Sequence, residues 1–434
     1  MRSRSFREFA CAALAACALA LAGCGGPELM PTPNLYTLTD DNPFADVPPS
    51  LRSNAVDLIY ATDRVPEGDP AKDPRYGTRR SKSLAFGMTT VRIGRDVAWD
   101  DLVAASRAAK RKVSLPLICG ETHELGRLPQ VPAPTVERDG RRVESPEIAA
   151  AREVAETRFK TLLAERLALT PKKEVYIFVH GVGSTFDDAA QVMAELWHFM
   201  GRRGVPIVYT WPAGGGGDPL HEYTHDRESS EFTVYHLKQF LKLVASCPEV
   251  RKVHILAHSR GTDTSVAALR ELHIEATAAG RDTRESLKLG CLVLAAADMD
   301  LEVSSQRIGG ERLMRVPEQM VMYVSPEDKW LGRADWLFDS ETRVGQTGAA
   351  NLTAGRTQSL LRTPEIQYID ARVAASGDRK SHFYFYQDTA ASSDLILVLR
   401  DGRLPGAGNG RPLVLDSSGI WRIEKDYPAC LGGK

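Results

Sequence analysis

Short apolar runs separated by helix-like segments constrain the fold of this 434-residue chain most strongly. The runs are rich in β-branched residues and do not alternate with polar ones, which is typical of strands buried on both faces of a parallel sheet. They lie at 175–179, 206–210, 253–257, 292–296, 320–324 and 366–369. Helices are predicted at 187–200, 227–245, 262–278 and 304–314. This alternation predicts an α/β fold with a doubly wound, mostly parallel sheet and helices on both faces.

Further elements are predicted on both sides of this core. Upstream, 56–60 and 84–91 read as edge strands, and the amphipathic segment 147–167 reads as a helix that leads into the first parallel strand. Downstream, apolar runs at 412–415 and 420–423 flank Asp416-Ser417-Ser418-Gly419, which predicts a terminal hairpin.

The N-terminus has the features of a bacterial export signal. Arginines at positions 2, 4 and 7 precede an apolar stretch over 9–21, which is shorter than the roughly 20 residues that a bilayer span requires. Leu21-Ala22-Gly23-Cys24 then resembles a lipobox. The resemblance implies removal of residues 1–23, fatty acylation of Cys24, for example with palmitate, and anchoring in the cell envelope. Gly25 is not the Asp that marks an inner-membrane lipoprotein, so in a double-membrane bacterium we expect the periplasmic face of the outer membrane.

Composition narrows the partners and the cofactors. A formal net charge of −1 provides no basic field for nucleic acid, which favours a small-molecule or lipid substrate. Residues 24–50, rich in Pro, Asn and Asp without apolar periodicity, predict a tether between the anchor and the folded body. The cysteines beyond Cys24 have no CxxC spacing, which disfavours a zinc ribbon or a redox motif. They are Cys119, Cys247, Cys291 and Cys430.

One predicted strand ends in a serine that lies between small residues, in Ile255-Leu256-Ala257-His258-Ser259-Arg260-Gly261. A nucleophile elbow needs small residues two positions before and after its serine, because the strained turn brings backbone segments close together. Gly261 meets this need, and Ala257 replaces the usual first glycine. An ordinary strand-to-helix turn is the alternative for this pentapeptide. We predict that Ser259 is a nucleophile.

A serine nucleophile of this type takes its acid and its base from later in the chain. His273 falls within the helix predicted after the elbow, which leaves His382 as the base. Asp328, after the strand at 320–324, is the predicted acid, and Asp298 and Asp300 after the preceding strand are the alternatives. The polar segment 335–364 lies between acid and base, and is either a loop that shapes substrate access or a plain surface insertion.

Donors for an oxyanion are expected after the first parallel strand. His180-Gly181-Val182-Gly183 resembles the His-Gly oxyanion loop of lipases and esterases. Its glycines allow backbone N–H groups to point into the site, and we predict those of Val182 and Arg260 as the donors. His180 is then structural, and a plain tight turn is the alternative reading of the motif.

A zinc motif competes with this interpretation. His221-Glu222-Tyr223-Thr224-His225 matches HExxH, in which two histidines one helical turn apart bind zinc. Pro219 and four glycines lie just upstream, charged residues follow, and no downstream acid, Glu249 included, stands out as a third ligand. We therefore predict a loop that enters a helix at Asp226, no metal and no other cofactor. A zinc peptidase remains the minor alternative.

Taken together, these segments resemble a bacterial alpha/beta-hydrolase family known as domain of unknown function 900. The resemblance runs from about Asp57 to about Tyr386 and implies a serine hydrolase. Two departures lie at the predicted site, because Val182-Gly183 replaces Phe-Asn and Arg260 replaces Met. The matching pieces are Ile59-Tyr60-Ala61-Thr62-Asp63-Arg64, Leu84-Ala85-Phe86-Gly87, Phe178-Val179-His180-Gly181, Thr210-Trp211-Pro212, Tyr223 with Asp226-Arg227-Glu228-Ser229, Ala257-His258-Ser259, Asp298, Tyr323-Val324-Ser325 with Asp328, and Ser381-His382.

The sequence thus predicts an exported, lipid-anchored serine hydrolase that cleaves a carboxylic ester through an acyl-Ser259 intermediate. Its partners are an ester substrate and a membrane, reached through Cys24. The predicted domain covers 51–400, with edge strands in 51–120 and the catalytic core in 171–390, and a hairpin and tail occupy 401–434. A catalytically inactive scaffold that binds at the cell envelope is the alternative from a different class.

Overall fold

The computed structural model describes residues 27–67, 74–215, 218–331, 343–346, 365–372 and 382–429. The predicted signal segment with Cys24, most of the segment 335–364, and Cys430 lie outside the described residues. The strands are β1 Ala55–Glu67, β2 Arg75–Ile93, β3 Leu117–Arg127, β4 Thr135–Arg138, β5 Arg141–Glu144, β6 Glu174–Val179, β7 Val205–Thr210, β8 Lys252–His258, β9 Leu289–Ala295, β10 Gln319–Val324, β11 Ile366–Asp370, β12 Val414–Leu415 and β13 Trp421–Arg422. The helices are α1 Asn34–Thr37, α2 Trp99–Arg107, α3 Pro146–Ala168, α4 Phe186–Phe199, α5 Pro219–Ala245, α6 Arg260–Ala278, α7 Thr283–Leu287, α8 Leu301–Ser304, α9 Tyr384–Gln387 and α10 Thr389–Asp401.

A central sheet of 11 strands, counted over the described residues, organises the molecule. Its order is β12-β13-β11-β10-β9-β8-β6-β7-β1-β2-β3. The neighbouring pairs between β11 and β1 in this order are parallel: β11–β10, β10–β9, β9–β8, β8–β6, β6–β7 and β7–β1. Strands β6 to β11 are buried along almost their whole length, because helices cover both faces. The predicted α/β class with a mostly parallel sheet is confirmed.

The edges of the sheet are antiparallel. Strand β2 runs antiparallel to β1, and β3 runs antiparallel to β2. At the opposite edge β12 and β13 form a short hairpin, and β13 pairs in parallel with β11. Two apolar clusters lie on the two faces of the sheet: one includes residues of α4, α10 and the N-terminal segment, the other residues of α3, α5 and α6.

Two helix predictions were wrong. Residues 304–314 do not form one helix: after α8 the chain makes a π turn over Ser305–Gly310 and a 3-10 turn over Leu313–Arg315. Adjacent glycines at 309 and 310 favour this break, because glycine loses the most conformational entropy in a helix. The second helix, α5, begins at Pro219 and not near residue 227. Proline is favoured in the first turn of a helix, where its missing N–H costs no hydrogen bond.

The segment 27–50 differs from the predicted tether, because it packs into the domain. Leu29, Met30, Tyr36 and Phe44 are each less than 5% exposed and belong to one of the two apolar clusters. Their spacing along the chain is irregular, because the segment follows the existing surface of the domain. Helical or strand periodicity in the sequence therefore did not predict that they are buried.

Polar contacts hold the beginning of this segment. The N–H of Met30 donates to Oε2 of Glu195 on α4 at 2.7 Å, and the guanidinium of Arg111 donates to the carbonyls of Leu29 and Met30. The N–H of Leu117 donates to the carbonyl of Pro27 at 2.7 Å, which joins the segment to the first residue of β3. The described part of the chain therefore begins at the end of the sheet where β3 starts.

Within the described part of the chain, no helix has both the length and the apolar character needed to cross a bilayer.

Glu195 should make stability depend on pH. Burial raises the pKa of its carboxyl to about 8. The folded protein thus keeps a proton that the unfolded chain loses above about pH 4.5, so this contribution to stability declines as pH rises from about 4.5 to 8. Glu195→Gln keeps an oxygen acceptor for Met30 but cannot ionise. Its free energy of unfolding relative to wild type should increase by roughly 2 kcal/mol between pH 5 and pH 8, measured by chemical denaturation.

The control is Glu121→Gln, because the Glu121 side chain is 85% exposed. That variant should track the wild type at both pH values. An equal stability difference between Glu195→Gln and wild type at pH 5 and pH 8 would contradict the assignment.

Candidate active site

The strand order reverses between β6 and β8. From β6 the chain crosses through α4 to β7 on one side, and from β8 it crosses through α6 to β9 on the other. Open α/β sheets bind ligands at such a point, in the crevice outside the carboxyl ends of the strands. His180 to Gly183 follow β6, and Ser259 follows β8. The structure thus brings the two predicted loops to one crevice.

Ser259 forms the strained turn between β8 and α6. Its backbone has φ 52° and ψ −126°, in the region that ordinary residues avoid. The N–H of Ser259 donates to the carbonyl of Ala295 at 3.0 Å, and its own carbonyl accepts from the N–H groups of Thr262 and Asp298 at 3.0 and 3.3 Å. Its side chain is 1% exposed, and its Oγ has no hydrogen-bond partner among the described residues. The turn therefore holds a buried serine hydroxyl without a competing hydrogen bond.

Two glycines allow the loops to approach this closely. A Cβ on Gly261 would lie 2.4 Å from the carbonyl oxygen of His180 and 2.5 Å from that of Val179. A Cβ on Gly181 would lie 2.6 Å from the Cβ of Ser259. All three distances are shorter than van der Waals contact permits, so these two positions require glycine. At Ala257, where the elbow pattern usually has glycine, a methyl group is accommodated with no exposure.

His382 and Asp328 form a buried pair. The Nδ1 of His382 lies 2.8 Å from Oδ2 of Asp328, and the side chains are 6% and 0% exposed. The other carboxylate oxygen accepts from the backbone N–H groups of Trp330 and Leu331 at 3.0 and 3.2 Å. These bonds fix the carboxylate that follows β10. When Nδ1–H donates to Asp328, the proton is absent from Nε2, and that nitrogen can accept a proton.

His258, which precedes Ser259, positions the backbone of His382. Burial holds the pKa of His258 well below its ordinary value, so its ring is neutral. Its Nε2 lies 3.1 Å from the carbonyl oxygen of His382 and therefore donates to it. The centroid of the His258 ring also lies 5.0 Å from the ring centroid of Phe383 and 4.9 Å from that of Phe385. The serine and the histidine are thus linked through one intervening side chain.

The alternative acids have other partners. Asp298 Oδ2 lies 3.0 Å from Arg260 Nη2 and accepts from the hydroxyl of Tyr223 at 3.1 Å. Asp300 precedes α8, and its side chain accepts from the N–H of Val303 at 3.0 Å. Of these three carboxylates, the one that the structure places against His382 is Asp328. His273 lies on α6, with Nδ1 2.8 Å from the hydroxyl of Thr283.

Charged side chains stabilise the loop after β6 through hydrogen bonds to its backbone and to neighbouring segments. The guanidinium of Arg64 donates to the carbonyls of Ser184 and Ala213 at 2.7 and 3.0 Å and to Oγ1 of Thr210 at 2.9 Å. Asp226 on α5 accepts from the N–H of Gly183 at 2.8 Å and from that of Gly214 at 3.0 Å. Val182 lies between Gly181, which contacts Ser259, and Gly183, which Asp226 holds.

His180 also stabilises the loop after β6. Its Nε2 accepts from the N–H of Trp211 at 3.1 Å, so Nδ1 carries the proton and donates to the carbonyl of Gly181 at 2.8 Å. Burial and the nearby Arg64 lower the pKa of His180 to about 3. A neutral ring in this position orients the peptide after Gly181 and does not act as a base.

The HExxH residues lie on a helix, so the loop expected there was wrong. Helix α5 includes His221, Glu222 and His225, whose histidines are one turn apart. His225 Nδ1 lies 3.1 Å from Oδ1 of Asp226, the carboxylate that also holds Gly183. In the described ranges, no group of three or more His, Cys, Asp or Glu side chains is placed to hold a metal ion.

Sequence reasoning had assigned no role to three residues of this site: Arg64, Asp226 and His258. All three belong to the segments that carry the family resemblance, which was the available signal. Their contacts join segments far apart in the chain, since Arg64 and Ser184 are 120 positions apart, so spacing alone did not reveal them.

The sheet, the elbow and the loop after β6 together define a hydrolase-like α/β scaffold. A family model described as alpha/beta hydrolase of unknown function (DUF900) matches residues 155–399, more than half of the chain. The chain belongs to this family. No curated protein matches the chain.

Substitutions of Asp328 and Asp298 should have different effects on kcat and on stability. Asp328→Asn removes the charge that supports a protonated His382 and should lower kcat by about four orders of magnitude, as the corresponding change does in a serine protease. Asp298→Asn removes a partner of Arg260; it should reduce stability by about 2 kcal/mol or more while kcat stays within about tenfold. Measuring kcat on an ester and thermal unfolding for both variants checks this. A normal rate for Asp328→Asn beside a collapsed rate for folded Asp298→Asn would reverse the assignment.

Proposed function

We propose that the protein is an exported, lipid-anchored serine hydrolase that cleaves a carboxylic ester through an acyl-Ser259 intermediate. The buried bond between His382 and Asp328, next to a serine on a strained elbow, supports this proposal most directly. An ordinary strand-to-helix turn requires neither a positive φ at serine nor a histidine–carboxylate pair beside it.

In the first half of the reaction, Oγ of Ser259 attacks the carbonyl carbon of the ester. Nε2 of His382 takes the serine proton, and Asp328 stabilises the imidazolium that forms. The same proton is then given to the departing alkoxide. Oγ of Ser259 has no hydrogen-bond partner among the described residues, so this proton transfer requires the hydroxyl and Nε2 of His382 to come together when the substrate binds.

Backbone N–H groups stabilise the negative charge on the carbonyl oxygen. Arg260 is the first residue of α6, and the first N–H groups of a helix have no intrahelical acceptor. Val182 supplies the second donor from the loop that Arg64 and Asp226 brace. Backbone donors held in a folded loop and at the start of a helix need little reorganisation when charge develops.

Deacylation repeats the chemistry with water as the nucleophile. His382 removes a proton from water, the hydroxyl attacks the acyl carbon, and the proton returns to Ser259 as the acid product leaves. A metal ion has no step in this cycle. The side chains that carry it are one serine, one histidine and one aspartate, which is the set that acyl transfer requires.

A fluorophosphonate probe tests the nucleophile. The wild type should react covalently, and Ser259→Ala should lose both labelling and ester hydrolysis, the latter by several orders of magnitude. Ser265→Ala is the matched control, because Ser265 is also fully buried and its Oγ has no partner among the described residues. That variant should keep both signals.

Two outcomes would reject this assignment. Undiminished labelling of Ser259→Ala would reject the nucleophile. Failure of the folded wild type to react, together with no turnover across a broad ester panel, would favour an inactive scaffold that binds at the envelope.

The anchor is tested separately from the chemistry. Cys24→Ala removes the lipobox thiol, so the variant should incorporate no fatty-acid analogue during growth and should keep its signal segment. Cys119→Ala removes a thiol that is partly exposed; it should incorporate the analogue normally. Label retained on Cys24→Ala would refute the anchor.

A further inference from the structure

The folded domain begins almost at the lipobox cysteine. Pro27 is bonded to Leu117, and Glu28 forms a β-bridge with Pro116. Two glycines separate Cys24 from Pro27, and three Cα–Cα steps reach at most about 11 Å. An acyl chain on Cys24 would therefore hold this corner of the domain against the bilayer, with no long flexible spacer.

The surface around this corner is basic. At the last residue of α2 and in the loop that leads to β3, the side chains of Arg107, Lys110 and Lys112 are exposed, and Val113 is 55% exposed. Arg111 in the same loop points inward to the carbonyls of Leu29 and Met30, which fixes the loop to the anchored segment.

Acidic groups near this loop leave its positive charge in excess. The carboxylate of Glu28 accepts from the hydroxyl of Ser114 and from the N–H of Leu115 at 2.8 Å. Asp100 and Asp101 lie in the first turn of α2, at the other end of that nine-residue helix. Three exposed cations beside an apolar side chain suit the headgroup region of an anionic bilayer, where the cations contact phosphate and valine reaches the acyl boundary.

We propose that the basic loop 107–113 docks the domain on anionic phospholipid beside the anchor and points the catalytic crevice away from that membrane. This inference rests on the proposed acylation of Cys24. It adds a second membrane contact, which matters because one lipid signal alone often gives reversible binding.

The orientation follows from the sheet. Strand β3 begins at Leu117, which pairs with Ile93 at the end of β2, and Arg92 pairs with Ala55 at the start of β1. The anchored corner is thus at the amino-terminal end of the parallel strands, whereas Ser259 lies at their carboxyl end. Strand length separates these points by about 20 Å, and the five strand spacings from β3 to β8 add about 24 Å sideways.

The position of Ser259 relative to the docked corner restricts the class of substrate. With the strands directed away from the docked corner, Ser259 lies about 20 Å farther from the bilayer than that corner, which is farther than an ester bond in the supporting leaflet can reach without leaving the bilayer. The substrate is therefore an ester presented from the aqueous side, either soluble or attached to another envelope structure.

A depth-sensitive probe tests the docking. Full-length protein is purified from bacterial membranes in its acylated form and reconstituted into vesicles with and without phosphatidylglycerol. An environment-sensitive fluorophore is attached to Val113→Cys, and quenching by lipid-borne quenchers is measured. The controls are Val154→Cys, whose parent residue is 68% exposed on α3, and Glu327→Cys beside the crevice. Protein without an added cysteine corrects for labelling of Cys119.

We expect strong quenching at Val113 in anionic vesicles and little at Val154 or Glu327. Each basic side chain near an anionic surface strengthens binding about fivefold, so replacing Arg107, Lys110 and Lys112 by Gln should lower the docked-to-undocked ratio roughly a hundredfold. The variant should still float with the vesicles through its acyl chain.

The failures are distinguishable. If the wild type carries no fatty acid and does not float with vesicles, the anchor and the docking both fail. If the wild type floats but Val113 is quenched no more than Val154, the docking fails and the anchor stands. Quenching at Glu327 equal to that at Val113 overturns the orientation and admits lipid of the same leaflet as substrate.

Discussion

The close approach of the carboxyl ends of β6 and β8 is the constraint on which the site depends. Gly261 lies against the carbonyls that end β6, and Gly181 lies against the side chain of Ser259. The strained backbone of Ser259 costs about 1–3 kcal/mol, and it persists because hydrogen bonds to Ala295 and from Thr262 fix both sides of its peptide. A larger residue at either glycine would push the elbow at Ser259 away from the loop after β6.

Burial of polar groups keeps this arrangement rigid. Arg64, Asp226 and His180 have few alternative partners in a dry interior, and each lost bond would leave a costly unpaired group. Their bonds join β1, the loop after β6, the end of β7 and α5. The loop after β6 is thus held in shape by contacts with β1, α5 and the end of β7.

The sequence alone predicted the features that form a short apolar run or obey a strict local rule. Strands β6 to β11 were visible as apolar runs, and the elbow was visible because only small residues fit two positions from Ser259. Edge strand β3, with a half-polar pattern, and the segment around Tyr36 were not visible, because they fit an existing surface and follow no period. The start of α5 was misplaced because Pro219 was interpreted as a helix breaker, although it occupies the first helical position. Asp328 was preferred over Asp298 on strand order, and only coordinates show which carboxylate His382 contacts.

The packing of residues 27–47 makes the N-terminal segment part of the folded body. Leu35, Tyr36 and Phe44 cover apolar surface that α4 and α10 would otherwise expose to water. A chain shortened to residue 50 would lose this cover and acquire an exposed apolar patch of the kind that promotes aggregation. Insertions here are constrained for the same reason, since one added residue between Met30 and Tyr36 would move either Met30 from Glu195 or Tyr36 from Phe199. Under the proposed acylation of Cys24, the spacing between the anchor and the folded domain is fixed by this packing, and a longer reach from the membrane would require added residues before Pro27.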